Sequence, residues 1–190
     1  MSGTKAHQRY RNAQGVVIPG VTTILGLLNK PALIPWAWKL GMQGEDYRKV
    51  SDRAANIGTI AHYLVECNLK GITPDLKDFI PSSIEIAKVA FGNFQEWWQE
   101  EHLILVESEC QLASESMQCG GTLDCVAQKY FNPTDLLPGE LWLVDIKTSK
   151  AVYDEMLYQL AAYWALWNEN HPDQPITNAH IIQLSKVDGR

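Results

Sequence analysis

The segment Leu141-Trp142-Leu143-Val144-Asp145-Ile146-Lys147 constrains this chain most. Its run of apolar residues predicts a short, strongly apolar strand. Side chains alternate along a strand, so Asp145 and Lys147 share one face while Ile146 points into the core on the other. A carboxylate and an amine that leave a core strand together lose hydration, which is costly unless they are paired or bound to a metal. A salt bridge at a strand end is the plain reading. The neighbouring acids shift the balance. Asp124 lies on the preceding predicted strand, and Glu109 on the strand before that, with Glu107 two residues earlier on the same face. Carboxylates converging on one sheet end repel one another without a cation, and an oxygen-rich set of this kind suits Mg2+ or Mn2+.

The surrounding pattern predicts the frame. Residues 1–34, rich in Gly, Pro and Asn with β-branched bursts at Val16-Val17-Ile18 and Val21-Thr22-Thr23-Ile24, read as an irregular or hairpin-like arm. Pro35 fits the first turn of a short helix that Gly41 and Gly44 weaken or end. Ser51-Asp52 is a capping signal for a helix to about residue 70, where Gly71 stops it, and Ile57, Ile60, Ala61, Leu64 and Val65 give it an apolar face. A second helix opens at Pro81 and ends near residue 101. Strands are predicted over 103–113, over 121–130 after a Gly120-Gly121 turn, and over 141–147; a helix over 153–168 and a strand over 179–184 follow. This order predicts a mixed α/β domain over 51–190, with a small central sheet flanked by helices. A basic arm and short helix over 1–50 precede it. Asp188-Gly189 is a turn signal with no strand after it, so the last strand is either an edge or the natural chain continues.

Composition excludes other classes. With 46% hydrophobic and 20% charged residues the 190-residue chain is not disordered. No apolar run approaches the ~18 residues of a membrane span, and no apolar stretch follows Met1 as in a secretory leader, so a cytoplasmic protein is expected. In that compartment Cys67, Cys110, Cys119 and Cys125 are expected as reduced, half-buried thiols, since none forms a CxxC pair. The seven tryptophans are expected mostly in the core. The net charge of −6 argues against nucleic-acid binding, but it is unevenly distributed. Residues 1–62 hold eight Lys/Arg against three acids, and the remainder eight against nineteen. The basic third could bind a polyanion.

Asp124 with Asp145-Ile146-Lys147 resembles the PD-(D/E)XK nuclease signature. Gly58-Thr59-Ile60-Ala61-His62 resembles the GTxxH motif of its RecB-like exonuclease branch, Gly121-Thr122-Leu123-Asp124 the G-[ST]-x-D strand, and Gln159-Leu160-Ala161-Ala162-Tyr163 the QxxxY helix, all in the family's order. Pro19 to Leu25 and Trp36-Ala37-Trp38 are similar to the lead-in of phage-type and mitochondrial genome-maintenance exonucleases of that superfamily.

The resemblance implies a restriction-endonuclease-like core holding Mg2+ or Mn2+. Asp124, Asp145, the Ile146 carbonyl and His62 would be ligands, and Glu109, preferred to Glu107 for its spacing to Leu112 and Ser114, would complete the site directly or through water. Lys147 would position the attacking water and offset transition-state charge, with Gln159 and Tyr163 on one helix face orienting it or holding a phosphate. Thr148, Ser149, Lys150 and Thr59 would contact phosphate, and Trp36 and Trp38 would stack on unpaired bases. The implied activity is a metal-dependent deoxyribonuclease, foremost an exonuclease on DNA ends or single strands in phage or bacterial recombination and repair. A structure-specific or restriction-type endonuclease on the same core, and a DNA-binding module without catalysis, are the alternatives. CRISPR-associated relatives hold an iron–sulfur cluster on a late cysteine group that this sequence lacks after Cys125, so no cluster is expected.

Overall fold

The computed structural model describes residues 9–131 and 139–186. The turn signal at Asp188-Gly189 and the prolines Pro133 and Pro138 lie outside them. Along the chain, β1 (Tyr10–Arg11) and β2 (Val17–Ile18) form a short antiparallel hairpin. Then come α1 (Val21–Leu25), α2 (Leu33–Met42), α3 (Tyr47–Leu69), α4 (Pro81–Glu100), β3 (Leu103–Ser114), β4 (Cys119–Lys129), β5 (Leu141–Lys147), α5 (Asp154–Asn170) and β6 (Asn178–Gln183). The four long strands make one mixed sheet in the order β3-β4-β5-β6, antiparallel up to β5 and parallel between β5 and β6, which α5 connects. Among the described residues no helix is long and apolar enough to cross a membrane.

Helices cover both sheet faces. On one, Ile57, Ile60, Ala61 and Leu64 of α3 and Ala87, Ala90 and Phe94 of α4 meet Cys125, Ala127, Val144 and Ile146 of the sheet. On the other, Leu160, Leu166 and Trp167 of α5 meet Leu123, Val126 and Leu143. The expected apolar positions at three- and four-residue spacing are those that α3 buries. β5 carries Val144 to one core and Leu143 to the other, which accounts for its unbroken apolar sequence.

Several local expectations are corrected. Val21 to Ile24 does not continue the β-branched arm as a strand. It coils into α1, whose Val21 and Leu25, four apart, fit one helix face against the α5 side of the core. α2 starts two residues earlier than read, at Leu33, which still leaves Pro35 in its first turn, and it ends at Met42, between Gly41 and Gly44, as expected. The third starts at Tyr47, because Asp46 caps it by accepting from the Arg48 N–H at 2.9 Å, and Ser51-Asp52 lies inside the helix. Gly71 ends that helix as expected, in a left-handed conformation with φ +65°. Gly120 and Gly121 are strand residues of β4, and the turn before them spans 115–118. The four cysteines are free but fully buried, not half-buried. Of the seven tryptophans only Trp167 is buried. Trp36, Trp97, Trp98 and Trp142 are half-buried, and Trp38 and Trp164 are exposed.

Candidate functional site

The β4–β5 ladder ends at Cys125 opposite Val144, and the two strands part beyond it. In the opening the Asp124 side chain replaces a ladder bond: its Oδ2 accepts from the Ile146 N–H at 2.8 Å. This hydrogen bond places the Asp124 carboxylate beside the last turn of β5. Asp145 lies next to it with 0% exposure. The Lys147 ammonium stands 2.6 Å from Asp145 Oδ2, off the line of a directed hydrogen bond, and Gln159 Nε2 lies 3.5 Å from Oδ1. The plain salt-bridge reading of Asp145 and Lys147 is therefore what the geometry contains, and it sits within a larger charged group. Burial first, and the Asp124 charge second, push the Asp145 carboxyl up to about 6, against the opposing pull of Lys147 and His62.

His62 approaches from α3, with Nδ1 3.8 Å from Asp124 Oδ1, too far for a hydrogen bond. Gly58, one helical turn earlier, makes room for the strap after β5, since a Cβ there would lie 2.9 Å from Thr148 Oγ1. The spacing Gly58 to His62 thus combines a close-approach position and a site residue on adjacent turns of one helix. From α5, Gln159 Nε2 also donates to the Tyr163 hydroxyl at 3.0 Å. Tyr163 is itself buried, which raises its phenol pKa, and its ring lies over Gly121, where a Cβ would stand 2.5 Å from Cε1. Gly121 and Tyr163, far apart in sequence, are two halves of one contact.

The remaining expected residues divide. Thr148 and Ser149 line a cleft of about 380 Å³ together with His62, Lys147 and the first turns of α3 at Ser51 and Ala54. The Ser149 hydroxyl donates within its own loop, to the Ala151 carbonyl at 2.7 Å. Lys150 is exposed beside the cleft. The Thr59 hydroxyl bonds back to the Ala55 carbonyl at 3.1 Å, and the residue does not line the cleft. Trp36 packs edge-on to Tyr47, and Trp38 is 67% exposed on α2, a helix that buries none of its residues. Neither tryptophan reaches the cleft. Glu109 has a left-handed φ of +53°, an uncommon conformation for a non-glycine residue, and the β3–β4 register sets it across from Asp124. The charges of Asp124, Lys147 and His62 act on Asp145. Among the described residues no three His, Cys, Asp or Glu side chains are gathered at metal-holding geometry.

Sequence reasoning passed over three participants. Lys186, just after β6, lines the same cleft as Lys147. Its position was readable from the parallel pairing of β5 and β6, whose carboxyl ends must lie side by side. Lys30 of the arm bridges to Glu155 of α5 at 2.9 Å across a second, smaller cleft of about 200 Å³ on the other side of Lys147. Tyr10 donates to or accepts from Thr122 Oγ1 at 2.9 Å and holds the arm to β4. No sequence pattern links these last pairs, which are brought together only by the fold. The sequence matches no protein-family model, and no curated protein matches it.

Proposed function

We propose that this chain is a metal-dependent deoxyribonuclease of the PD-(D/E)XK type, acting as a RecB-like exonuclease on DNA ends or single strands in recombination or repair. One observation carries the reading. Asp124, Asp145 and Lys147 are held together where two strands part, beside an open cleft that His62 also lines. The Asp145 carboxylate is buried, and its Oδ2 has a close cation but no directed donor among the described residues. An anionic oxygen kept dry in this way suits a second positive charge. The neighbouring donor types, two carboxylates and an imidazole that would have to draw closer to share an ion, suit Mg2+ or Mn2+. Asp124, Asp145 and His62 would hold the ion, which would supply Lewis-acid activation of the phosphodiester and acidify the attacking water.

The side chains divide the remaining work. The Ile146 N–H fixes one Asp124 oxygen and leaves the other turned toward His62. Gln159 ties Asp145 to Tyr163 and so holds the carboxylate rotamer on a buried phenol. Lys147, with its side chain 18% exposed, is close enough to the cleft to offer its ammonium to a phosphate oxygen as charge builds there. Its contact with Asp145 holds that ammonium beside the cleft before substrate arrives.

The test is cleavage of end-labelled linear single-stranded DNA, duplex DNA and circular single-stranded DNA with Mg2+, with Mn2+ and with EDTA. The wild type is compared with an Asp145→Ala/Lys147→Ala double variant. Cleavage of linear DNA that needs metal and falls at least about 100-fold in the variant is expected, since the variant removes both a ligand and the charge-offsetting group. Cutting of the circle would make the enzyme an endonuclease. A folded wild type that cleaves none of these substrates, or a variant as active as the wild type, would overturn the proposal.

A further inference from the structure

The cleft beside Lys147 has a second basic side chain that the motifs do not include. Lys186 lies beyond the carboxyl end of β6, and β6 runs parallel to β5 with Lys147 opposite Gln183. Both strands therefore deliver their following residues to the same edge of the sheet. The strap after β5 is fastened there as well, since Gln183 Nε2 donates to the Ser149 carbonyl at 2.9 Å. Lys147 and Lys186 thus line the cleft, with the Thr148 and Ser149 strap among its walls and the small side chains Ser51, Ala54 and Ala55 of α3 facing them. Small residues on that wall leave room for a chain to lie along α3.

Lys186 is placed where a cation is uncomfortable. It is half-buried, and among the described residues no carboxylate pairs with it. Burial and the neighbouring Lys150 charge both hold its ammonium below the usual lysine range. Lys30, Lys70 and Lys88, by contrast, pair with Glu155, Glu66 and Glu85. A half-buried lysine facing another lysine across a cleft with hydroxyls on its wall has the chemistry of an anion site, and an anion with several acceptor oxygens relieves both the burial and the repulsion.

We infer that Lys186 holds a backbone phosphate of the nucleic-acid strand, one that neighbours the phosphate cut at Asp124, Asp145 and Lys147. This rests on the nuclease reading and extends it from the cut bond to the path of the strand, which runs along the first turns of α3 between Lys186 and the Thr148–Ser149 strap. A contact of this kind carries no sequence information, so it strengthens binding equally on every sequence.

The experiment measures binding of a fluorescein-labelled 12-nucleotide oligothymidylate, and of a mixed-sequence 12-mer, to the full chain in EDTA across a range of KCl. Four proteins are compared: wild type, Lys186→Met, Lys186→Arg and, as a control for general charge, Lys77→Ala in the loop after α3. Methionine keeps the aliphatic stem that the half-buried position accommodates, and thermal melting verifies that each variant is folded. For Lys186→Met a Kd about 5–20-fold weaker on both oligonucleotides is expected, with the slope of log Kd against log salt smaller by about 0.7, the value for one released phosphate contact on a single strand. Lys186→Arg should bind within about twofold of wild type, since it retains the charge and donors, and Lys77→Ala should keep the wild-type slope. A folded Lys186→Met with wild-type affinity and slope refutes the inference and leaves the nuclease reading intact. The same holds if Lys186→Arg loses as much as Lys186→Met, or if Lys77→Ala loses the same slope. A wild type that binds neither oligonucleotide and cleaves no DNA overturns the nuclease reading, and the inference with it.

Discussion

Replacing Gly121 by alanine tests how the site is built without touching a charged group. The added methyl would lie 2.5 Å from Tyr163 Cε1 and 2.9 Å from Leu166 Cδ1. Carbon atoms in contact rest ~3.5–4.0 Å apart, so the ring must retreat by about 1 Å. It has little space to do so, because Tyr163 is 4% exposed and Leu166 0%. Overpacking of this kind costs about 1–3 kcal/mol, and the lower backbone entropy of alanine in a strand returns about 0.5–1 kcal/mol. A net loss of about 1–2 kcal/mol is expected, which lowers Tm by about 2–8 °C in a chain of this size. The effect should reach the site, since displacement of the phenol pulls on Gln159, which links Tyr163 to Asp145. Calorimetric melting of wild type, Gly121→Ala, Tyr163→Leu and the double variant forms a thermodynamic cycle. If ring and methyl compete for one volume, the double variant is more stable than the sum of the single losses by about 1 kcal/mol or more. A Gly121→Ala protein that melts within 1 °C of wild type, or a cycle that is additive, would refute the argument. Gly120→Ala provides a contrast. Its methyl would clash with Cβ and Cγ of Tyr10, but Tyr10 belongs to the arm, which can lift away. That variant should melt close to wild type yet be clipped near Arg11 by trypsin several-fold faster.

Two further outcomes follow from the charged groups. Asp145 has its carboxyl raised to about 6 from an ordinary 3.8, so the contribution of its protonated form to stability is fully present below pH ~4 and is lost as pH rises through ~6. Asp145→Asn should therefore melt like wild type near pH 4 and above it by pH 7.5, by about 1–3 kcal/mol without metal, and a difference that is flat or negative across this window contradicts the burial argument. Glu169 of α5 gathers the turn between β3 and β4: its Oε1 accepts from the Glu115 and Ser116 N–H groups and its Oε2 from the Ser114 and Ser116 hydroxyls, which lowers its carboxyl to about 2. Glu169→Ala should lose about 1 kcal/mol and show faster amide exchange at Glu115 and Ser116, while unchanged exchange there would show that the cluster does not hold the turn.

The elements that position the site were legible because their sequences obey single periods. α3 repeats Ile57, Ile60, Ala61 and Leu64 at helical spacing, and β5 is strongly apolar, so the helix–strand frame and the same-face pair Asp145 and Lys147 could be read directly. The starts of helices were less legible, since Asp46 and Ser51-Asp52 are both sound capping signals and only packing selects the first. The glycines of β4 were misplaced for a physical reason. A glycine pair reads as a turn, but here the two residues make room for Tyr10 on one side and Tyr163 on the other, and those rings come from opposite ends of the chain. Lys186 and Glu169 were not singled out for the same reason. Their surroundings follow from the parallel pairing of β5 with β6 and from the reach of α5, which only the assembled sheet supplies.

The attachment of the arm to β4 also sets a schedule for the newborn chain. Tyr10 and Thr122 are 112 positions apart, and the Pro19 carbonyl accepts from the Gly120 N–H, so the arm cannot reach its seat until the first strands of the sheet exist. At ~5–20 residues per second the ribosome takes roughly 6–20 s to make the intervening segment, and the β4 and β5 residues that share a core with Val21 come at or after its end. α1 waits longer still, because the core it joins includes Leu166 and Trp167 of α5. The arm thus settles only after α5, and the wall that α1 and Lys30 give to the smaller cleft beside Lys147 is completed only when Glu155, Met156 and Gln159 have emerged.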